Sequence, residues 1–382
     1  MNLQKINKYL YISIVISLWI ASCGSEVKES NLDQSYTVTT LADISIDQEN
    51  KNATNQMPQG ITADGENIYT TDFYNHVIFC TSIKTGKKYK FAGTLGVAGF
   101  RDGNGDAAMF NRPYGITYFG GNLYVADSAN SVIRKISIST RQVTTFSGQP
   151  VVAGHLNGSF EKALLRFPFG IATDGNFLYI ADTGNSTIRK IDLKTRHVRT
   201  LAGLAGVAGL FDGKGNQARF NSPKGIAVDE KNVYVADTIN GAIRKVEIAT
   251  GEVSTLAGKD FQPGGIDGVG SDARFNNPTG ATMMDGHLYI ADAGNNKIRL
   301  IYPETGETVS IAGKHFYQSS CPTLNLYHKL TDKAKEKDIP LTADGIGRKS
   351  RFNLPSGITS DGKKLYVVDT KNHLIRVIQK NK

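Results

Sequence analysis

The residues of this chain that could do acid–base or metal chemistry recur at regular intervals. Six aspartates end short apolar runs, and an asparagine follows each of them three residues later. The pairs are Asp72 and Asn75, Asp127 and Asn130, Asp182 and Asn185, Asp237 and Asn240, Asp292 and Asn295, and Asp369 and Asn372. Six carboxylates could bind metal, but aspartate also accepts hydrogen bonds from turn N–H groups, and asparagine tolerates a left-handed backbone. We therefore interpret the pattern as a repeated structural turn.

One segment resembles a calcium-binding loop, because Asp102, Asn104 and Asp106 alternate with glycines. A loop of the EF-hand kind needs glycine at its sixth position and an acid at its twelfth, where this chain has Ala107 and Pro113. We therefore expect a turn between structural units instead of a metal site. A large apolar residue follows each such turn and is expected to plug the space beside it: Phe110, Leu165, Phe220, Phe275 and Phe352.

Catalytic arrangements of histidine, cysteine or serine do not stand out in the sequence. Of the seven histidines, His76 and His373 occupy the repeated turn and His197 falls in a predicted outer strand, while no GxSxG motif is present. We predict no catalytic residue, no metal and no cofactor. Whether Cys80 and Cys321 pair is left open, since spacing alone does not show that two thiols meet.

Function is better sought at positions that vary inside a constant frame. A Pro-x-Gly tripeptide recurs, and its middle residues are Gln59, Tyr114, Phe169, Lys224, Thr279 and Ser356. The turn after the first repeated aspartate adds Phe73 and Tyr74, and later turns add Ile239 and Lys371. Aromatic rings beside a lysine could stack on a sugar or grip a peptide. We predict these residues as ligand-binding positions, with merely tolerated loop residues as the alternative.

An internal repeat positions these residues. The Pro-x-Gly tripeptides begin at residues 58, 113, 168, 223, 278 and 355, so four steps are of 55 residues and one is of 77. In the third unit we predict strands over 170–174, 177–182, 186–193 and 197–203, joined by tight turns. Apolar residues on both faces of the second strand indicate a sheet that is covered on both sides. Four-stranded antiparallel blades arranged around a channel, as in a β-propeller, provide that packing.

Both ends of the chain are needed to complete a six-bladed ring. The sixth unit contains only three strands, whereas residues 36–42 read like an outer strand that has no blade of its own. We predict an all-β, six-bladed β-propeller over residues 36–382, in which the N-terminal strand completes the last blade and removes an open sheet edge. Blades should start near residues 57, 112, 167, 222, 277 and 354. An insertion of 22 residues falls at about 314–343 and is either a recognition loop or surface decoration.

The N-terminal segment is predicted to be a targeting signal and not part of the folded domain. Lys5 and Lys8 precede an apolar run that is too short to span a bilayer, and residues 20–23, Ile-Ala-Ser-Cys, resemble the lipobox of bacterial lipoproteins. This resemblance implies a signal peptide at 1–22 and lipidation of Cys23, followed by a polar tether at 23–35. We expect a protein anchored by lipid in the cell envelope, on the periplasmic or extracellular face of an outer membrane or cell surface. The net charge of +9 is spread along the chain and favours anionic partners only weakly.

The repeat units resemble the NHL repeat over about 85% of the chain, with register kept from unit to unit. Residues 234–246 show the pattern typical of that family, residues 212–223 match a motif common in its bacterial members, and the sixth unit contains Asn372, His373 and Leu374 in sequence. The resemblance implies a six-bladed propeller and places the variable Pro-x-Gly positions near one mouth of its channel. It implies no single function, because the fold serves protein binding, RNA binding, receptor ectodomains and some lyases.

These observations favour a binding scaffold over an enzyme. We expect a lipid-anchored propeller that binds a protein, peptide or glycan at the cell envelope, with a metal-dependent lyase or lactonase-like enzyme as the alternative. Nucleic acid is not expected as a partner, because the predicted export conflicts with it. The sequence does not determine the oligomeric state.

Overall fold

The computed structural model describes residues 35–45, 56–314 and 342–381, and it confirms an all-β, six-bladed propeller. Within these residues every pair of strands is antiparallel, and the helices are single 3₁₀ turns. In this part of the chain no helix is long and apolar enough to cross a membrane. The predicted signal peptide, Cys23, most of the tether, Cys321 and residues 315–341 of the insertion lie outside the described residues.

Each blade is one sheet whose main strands follow in chain order from the channel outward, while the short two-residue strands and β1 are added at the outer edge. The strands of the first three blades are β2 (Pro58–Ala63), β3 (Asn67–Asp72), β4 (Val77–Ser82) and β5 (Lys88–Ala92); β7 (Pro113–Phe119), β8 (Asn122–Asp127), β9 (Val132–Ser137) and β10 (Gln142–Ser147), with the short β6 (Gly103–Asn104); and β11 (Pro168–Thr173), β12 (Phe177–Asp182), β13 (Thr187–Asp192) and β14 (Val198–Ala202).

The other three blades repeat this arrangement. Their strands are β16 (Pro223–Val228), β17 (Asn232–Asp237), β18 (Ala242–Glu247) and β19 (Glu252–Gly258), with β15 (Gly213–Lys214); β21 (Pro278–Met284), β22 (His287–Asp292), β23 (Lys297–Ile301) and β24 (Glu307–Ala312), with β20 (Gly268–Val269); and β26 (Pro355–Ser360), β27 (Leu365–Asp369) and β28 (Leu374–Lys380), with β1 (Tyr36–Asp43) and β25 (Gly345–Ile346). The 3₁₀ turns span Gly105–Ala107, Ser128–Asn130, Thr183–Asn185, Gly215–Gln217, Gly270–Asp272, Ala293–Asn295, Gly347–Lys349 and Thr370–Asn372.

The first strands of the blades form a closed inner ring. Each of β2, β7, β11, β16, β21 and β26 contacts the first strands of both neighbouring blades, and β26 contacts β2. At the outer edge of the sixth blade, β1 pairs with β28, and Val38 lies opposite Ile378. The predicted closure by the N-terminal strand is therefore confirmed.

The hydrophobic cores lie between blades, which explains the apolar residues on both faces of the second strands. In β17, Val233 and Val235 pack with Tyr179 of the third blade. The alternate residues Tyr234 and Ala236 pack with Leu288 of the fifth blade and its neighbours. Because successive side chains of a strand point to opposite faces, one strand contributes to two cores. Each blade is thus held by its two neighbours.

A buried ion pair recurs inside the blades and explains the repeated aspartates. In the fourth blade the fully buried Arg244 donates from Nη1 to Asp237 Oδ2 at 2.9 Å and from Nη2 to Asp212 Oδ1 at 2.7 Å. Its guanidinium also lies 5.0 Å from the ring centroid of Phe220. The Nδ2 group of Asn240 donates to the same carboxylate at 2.7 Å. The buried pairs, here called the Asp–Arg frame, are Asp127 with Arg134, Asp182 with Arg189, Asp237 with Arg244, Asp292 with Arg299, and Asp369 with Arg376.

Two details of the sequence interpretation are corrected by these contacts. The asparagine of the Asp-x-x-Asn turn does not itself take the left-handed conformation, and its side-chain amide donates to the aspartate of the same turn, as Asn240 does to Asp237. The next residue reverses the chain, as Ser131 does with a φ of 58°. The segments between blades, predicted as turns, also form strands. Directly after Asp102, Asp212, Asp267 and Asp344, two residues add a fifth strand to a blade. The predicted plug residues are confirmed as buried.

Candidate ligand site at the channel mouth

The Pro-x-Gly tripeptides and the Asp-x-x-Asn turns lie at the same end of the channel. Each proline begins a first strand and pairs in register with the aspartate that ends the second strand, as Pro113 does with Asp127. We define the mouth ring as five residues from each blade: the two residues before Pro-x-Gly, its middle residue, and the two residues after the aspartate. The predicted binding residues all belong to this ring.

The glycine of each tripeptide is required by a close approach between blades. A Cβ atom on Gly170 would overlap the carbonyl oxygen of Lys224 in the next blade, and the same contact occurs around the ring. The six glycine–carbonyl contacts join Gly60 to Tyr114, Gly115 to Phe169, Gly170 to Lys224, Gly225 to Thr279, Gly280 to Ser356, and Gly357 to Gln59. The backbone of every variable position is therefore fixed while its side chain is free to differ.

Adjacent blades present aromatic rings at the mouth. The rings of Tyr114 and Phe169 stack with centroids 4.3 Å apart and an interplanar angle of 7°. Phe73 meets Tyr114 edge to face at 6.1 Å, and Tyr74, which is 42% exposed, meets Phe73 at 5.2 Å. We call Phe73, Tyr74, Tyr114 and Phe169 the aromatic strip. The structure thus brings four predicted residues together on a partly exposed surface.

Cationic groups stand at both ends of the aromatic strip. The guanidinium of Arg112 lies 5.6 Å from the centroid of Phe73, and Nζ of Lys224 lies 5.8 Å from that of Phe169. Burial lowers the pKa of the Lys224 ammonium, and no carboxylate of the described residues is close enough to oppose that shift. Burial also raises the pKa of the Tyr114 phenol, so this group keeps its proton. The site therefore combines flat apolar surface with positive charge.

The other predicted positions take part in contacts between blades. Gln59 and Ser356 are each 4% exposed, and the Ser356 hydroxyl donates to the Gln59 carbonyl at 3.0 Å. The Thr279 hydroxyl donates to the Ser356 carbonyl at 3.2 Å. The structure does not bring these three residues into the aromatic strip, and a ligand-binding role for them stays a prediction.

The first blade lacks a hydrogen bond between blades at the position where the aromatic strip begins. In four blades the residue directly after the frame aspartate is a serine or threonine. Its hydroxyl donates to the proline carbonyl of the next blade: Ser128 to Pro168, Thr183 to Pro223, Thr238 to Pro278, and Thr370 to Pro58. Phe73 occupies that position in the first blade, where Thr71 instead donates to the Tyr114 carbonyl at 2.6 Å. A ring at the surface has replaced a buried hydroxyl.

Sequence reasoning missed the Asp–Arg frame and Arg112. The frame arginines recur seven residues after the aspartates, so the same register argument would have found them. Arg112 directly precedes a Pro-x-Gly tripeptide, and its backbone has a φ of 54°. That turn directs a long side chain across Phe73, and no local pattern in the sequence indicates it.

Other candidate chemistry takes no defined form in the described part of the chain. There, no three residues among histidine, cysteine, aspartate and glutamate are grouped to hold a metal ion. Cys80 is a free, buried thiol whose pKa is raised by burial. Cys321, whose pairing with Cys80 the sequence left open, lies outside the described residues.

Comparison with known proteins adds both sequence and structural relatives. A model of the NHL repeat matches residues 352–378. The protein SUPPRESSOR OF QUENCHING 1, chloroplastic, of Arabidopsis thaliana is 31% identical over 308 residues, which cover 76% of this chain and 27% of that protein. NHL repeat-containing protein 2 of Gallus gallus is 28% identical over 367 residues, which cover 84% of this chain and 46% of that protein. The chain therefore spans less than half the length of these curated relatives.

Solved structures show the same fold. An auxiliary nutrient binding protein from Bacteroides thetaiotaomicron superposes with a TM-score of 0.61 at 15% identity, covering 91% of this chain and 77% of that one. A streptogramin B lyase superposes with a TM-score of 0.51 at 13% identity, covering 92% and 100%. At these identities the likeness concerns the fold alone.

Proposed function

The chain belongs to the NHL-repeat β-propellers, and from this premise we propose that it is a binding scaffold of the cell envelope whose ligand docks on the aromatic strip at the channel mouth. The ligand is a protein, a peptide or a glycan. The observation that carries the proposal is the parallel stack of Tyr114 and Phe169, continued by Phe73 where four other blades keep a structural hydroxyl.

Physical chemistry supports this use of the surface. Aromatic side chains offer large apolar area at a small cost in conformational entropy, and they dominate the binding energy of many interfaces. The glycine–carbonyl contacts fix the backbone under Tyr114, Phe169 and Lys224, so little order has to be gained on binding. A rigid frame that carries variable side chains at one end is a common arrangement for recognition.

The fold relatives are compatible with a binding role. Two solved propellers of this shape, from Bacteroides thetaiotaomicron and Bacteroides ovatus, are described as auxiliary nutrient binding proteins. We extend that kind of role to this chain as a proposal, since a propeller without a cluster of ligating or nucleophilic groups at the strip can still capture a ligand.

Anchoring through Cys23 is the second part of the proposal. The lipobox-like residues before Cys23 support it, and lipidation there would hold the propeller at a membrane surface through the polar segment that follows. Expression with a labelled fatty acid tests this: the wild type should carry label and sediment with membranes, and Cys23→Ser should lose both. Label that persists in the Cys23→Ser variant would contradict the assignment.

The docking surface is tested with the full chain. Purified protein is screened against immobilised envelope proteins, peptides and glycans, and each ligand found is titrated against Tyr114→Ala/Phe169→Ala. We expect its affinity to fall at least about thirtyfold, as for the loss of a central aromatic anchor of ~2 kcal/mol. The matched control is Phe119→Ala, which removes a 41% exposed ring from the far end of the same strand as Tyr114.

Two outcomes would overturn the proposed site. Affinity that is unchanged in the double variant while Phe119→Ala weakens it would move the site to the opposite end of the channel. Turnover of a lactone or lyase substrate by metal-loaded protein, insensitive to the double variant, would replace the scaffold with the enzyme alternative.

A further inference from the structure

The mouth ring is uniformly free of acidic side chains. Its thirty residues, read from the sequence at five positions in six blades, include no aspartate and no glutamate. Four of them are cationic: Arg112, Arg166, Lys224 and Lys371. The carboxylates nearest in sequence are the frame aspartates, which five blades bury against arginines. The mouth therefore presents positive charge with no compensating group of its own.

The opposite end of the channel has the reverse character. The turns between first and second strands contain three lysines, Lys231, Lys363 and Lys364, and seven acids: Asp64, Glu66, Asp174, Asp229, Glu230, Asp285 and Asp361. Four of these accept a hydrogen bond from a tyrosine hydroxyl of the second strand, at 2.7 to 2.9 Å. The two ends of one channel thus differ in sign, and a negatively charged ligand is attracted to the mouth and repelled from the far end.

Lys224 concentrates this charge beside the aromatic strip. It is partly buried, its ammonium is desolvated, and the described residues offer it a ring face but no anion. A charged group removed from water without a partner is unfavourable, so an anionic ligand would gain by supplying that partner. The neighbouring Phe169 ring offers a flat apolar surface on which the C–H face of a sugar can pack.

From these observations we propose that the mouth ring recognises an acidic glycan. One sugar unit packs on the face of Phe169 that Tyr114 leaves uncovered, with Tyr114 stacked behind it, and the carboxylate or sulfate of the sugar pairs with the Lys224 ammonium. This inference rests on the proposed function, because it assumes that the mouth is the docking surface. A nucleic acid is disfavoured because the predicted export of the protein conflicts with it, and a single-stranded oligonucleotide is therefore included in the test.

The test uses chemically matched ligands. The full chain is titrated with oligogalacturonate and with its methyl-esterified form, and with a sulfated and a desulfated galactan, at 20 and 300 mM salt. We expect at least one acidic member to bind at least about tenfold more tightly than its neutral counterpart, with affinity that falls as salt rises. Lys224→Gln should remove that preference, and Lys224→Arg should keep most of it.

The control and the contrary results separate this inference from the proposed function. Lys245→Gln removes one charge from the same blade away from the mouth and should change nothing. Equal binding of acidic and neutral forms, or no binding of any of the four, overturns the acidic glycan, and so does preferential binding of a single-stranded oligonucleotide. If binding of the neutral glycan, of the oligonucleotide or of another ligand from the screen depends on Tyr114 and Phe169, the docking surface stands. If binding ignores Tyr114 and Phe169, the proposed function fails as well.

Discussion

The Asp–Arg frame and the channel mouth use the same kinds of residue in opposite ways. Inside the blades the frame arginines are bonded through both Nη groups and only their buried Nε groups lack an acceptor among the described residues; Arg244, for example, contacts two aspartates, two carbonyl groups and the ring of Phe220. At the mouth Lys224 lies beside Phe169 without any anion from the described residues. A frame whose carboxylates and Nη groups are paired specifies one structure, whereas a charge that has no anionic partner on that structure is available to a ligand.

The first blade links the two regions. It is the blade in which Phe79 stands at the position of the frame arginine, and Phe73 at the position of the interblade hydroxyl. Its frame aspartate, Asp72, accepts hydrogen bonds from the backbone N–H groups of Tyr74 and Asn75 instead. The blade that lacks both the frame arginine and the interblade hydroxyl is therefore also the one that begins the aromatic strip.

The largest effect is expected from breaking the frame. Arg244→Met leaves Asp237 buried without its cation, and we expect unfolding free energy to fall by about 3–5 kcal/mol. Burial raises the pKa of Asp237 to about 6 even with Arg244 present. Without the arginine the native state binds a proton still more readily, so the loss should be larger at pH 8 than at pH 5.

Urea unfolding of Arg244→Met, with Lys245→Met as the control, measures this effect. Lys245 is the next residue of the same strand and makes no frame contact, so its replacement should cost less than about 0.5 kcal/mol. Ligand affinity well below the unfolding transition should be unchanged in both variants. A stable Arg244→Met protein with weakened binding would show that frame and mouth are not separate.

A smaller effect that reaches both regions is expected at the glycine ring. In Gly170→Ala the new methyl group overlaps the Lys224 carbonyl, so the two blades must shift apart. We expect a loss of stability of about 1–3 kcal/mol, and weaker ligand binding because Lys224 moves with its backbone. In the control Gly209→Ala the nearest atom is 3.4 Å away, on the side chain of Arg219. Thermal unfolding and ligand titration of both variants test this, and normal affinity in Gly170→Ala would contradict the fixed mouth.

The fold was predictable from the sequence because each level of evidence repeats six times. The register of Pro58 and its equivalents, the two-faced second strands and the unpaired segment at 36–42 each predict a closed propeller, and pairing of Val38 with Ile378 confirms it. The frame arginines were equally repeated but were not used, since a charged residue in a strand reads as a surface position until its partner is known.

The candidate site was only partly predictable, for a physical reason. The variable positions share one backbone environment, yet Tyr114 is partly exposed while Ser356 is buried. This difference arises from side-chain size and from contacts across blade boundaries, such as Ser356 with Gln59. Ser356 and Gln59 are 297 positions apart, so no local signal in the sequence indicates their contact; sequence supplies the candidates and packing selects among them.

Closure of the ring can be tested against an internal boundary with the same contact. Thr370 donates to the Pro58 carbonyl at 2.9 Å where the last blade meets the first, and Thr238 donates to Pro278 at 2.8 Å between the fourth and fifth blades. Thr370→Val and Thr238→Val should each reduce the free energy of unfolding by about 1 kcal/mol, because each removes a hydroxyl donor to a proline carbonyl; at the closing boundary the Ser356 hydroxyl, which is 2.7 Å from that of Thr370, also lies 3.4 Å from the Pro58 oxygen. A negligible loss at Thr370 alone, measured by urea unfolding, would indicate a weaker junction at the closing blade.

The smallest expected effect concerns a histidine next to the aromatic strip. His76 Nδ1 accepts a hydrogen bond from the Arg112 backbone N–H at 3.0 Å, and burial followed by repulsion from Arg112 lowers the pKa of this imidazole. Protonation removes the acceptor, so the native state binds fewer protons than the unfolded chain. Its contribution is present above the ordinary histidine pKa and is lost as pH falls below about 6.5. Partial exposure limits it to about 0.5 kcal/mol.

His76→Asn should remove this pH dependence without removing the contact. Asn296 occupies the equivalent position of the fifth blade with a φ of 55°, and its Oδ1 accepts from the Leu354 N–H at 2.7 Å, so asparagine suits both the backbone and the hydrogen bond. Unfolding free energies at pH 7.5 and 5.5 should therefore differ by less in His76→Asn than in the wild type. His373→Asn is the control, since Nδ1 of His373 accepts no hydrogen bond from the described residues. His373→Asn could shift the pH dependence of the unfolding free energy as much as His76→Asn does. The effect would then not be specific to the hydrogen bond between His76 and Arg112, which positions Arg112 beside Phe73, and acidification would leave the mouth unchanged.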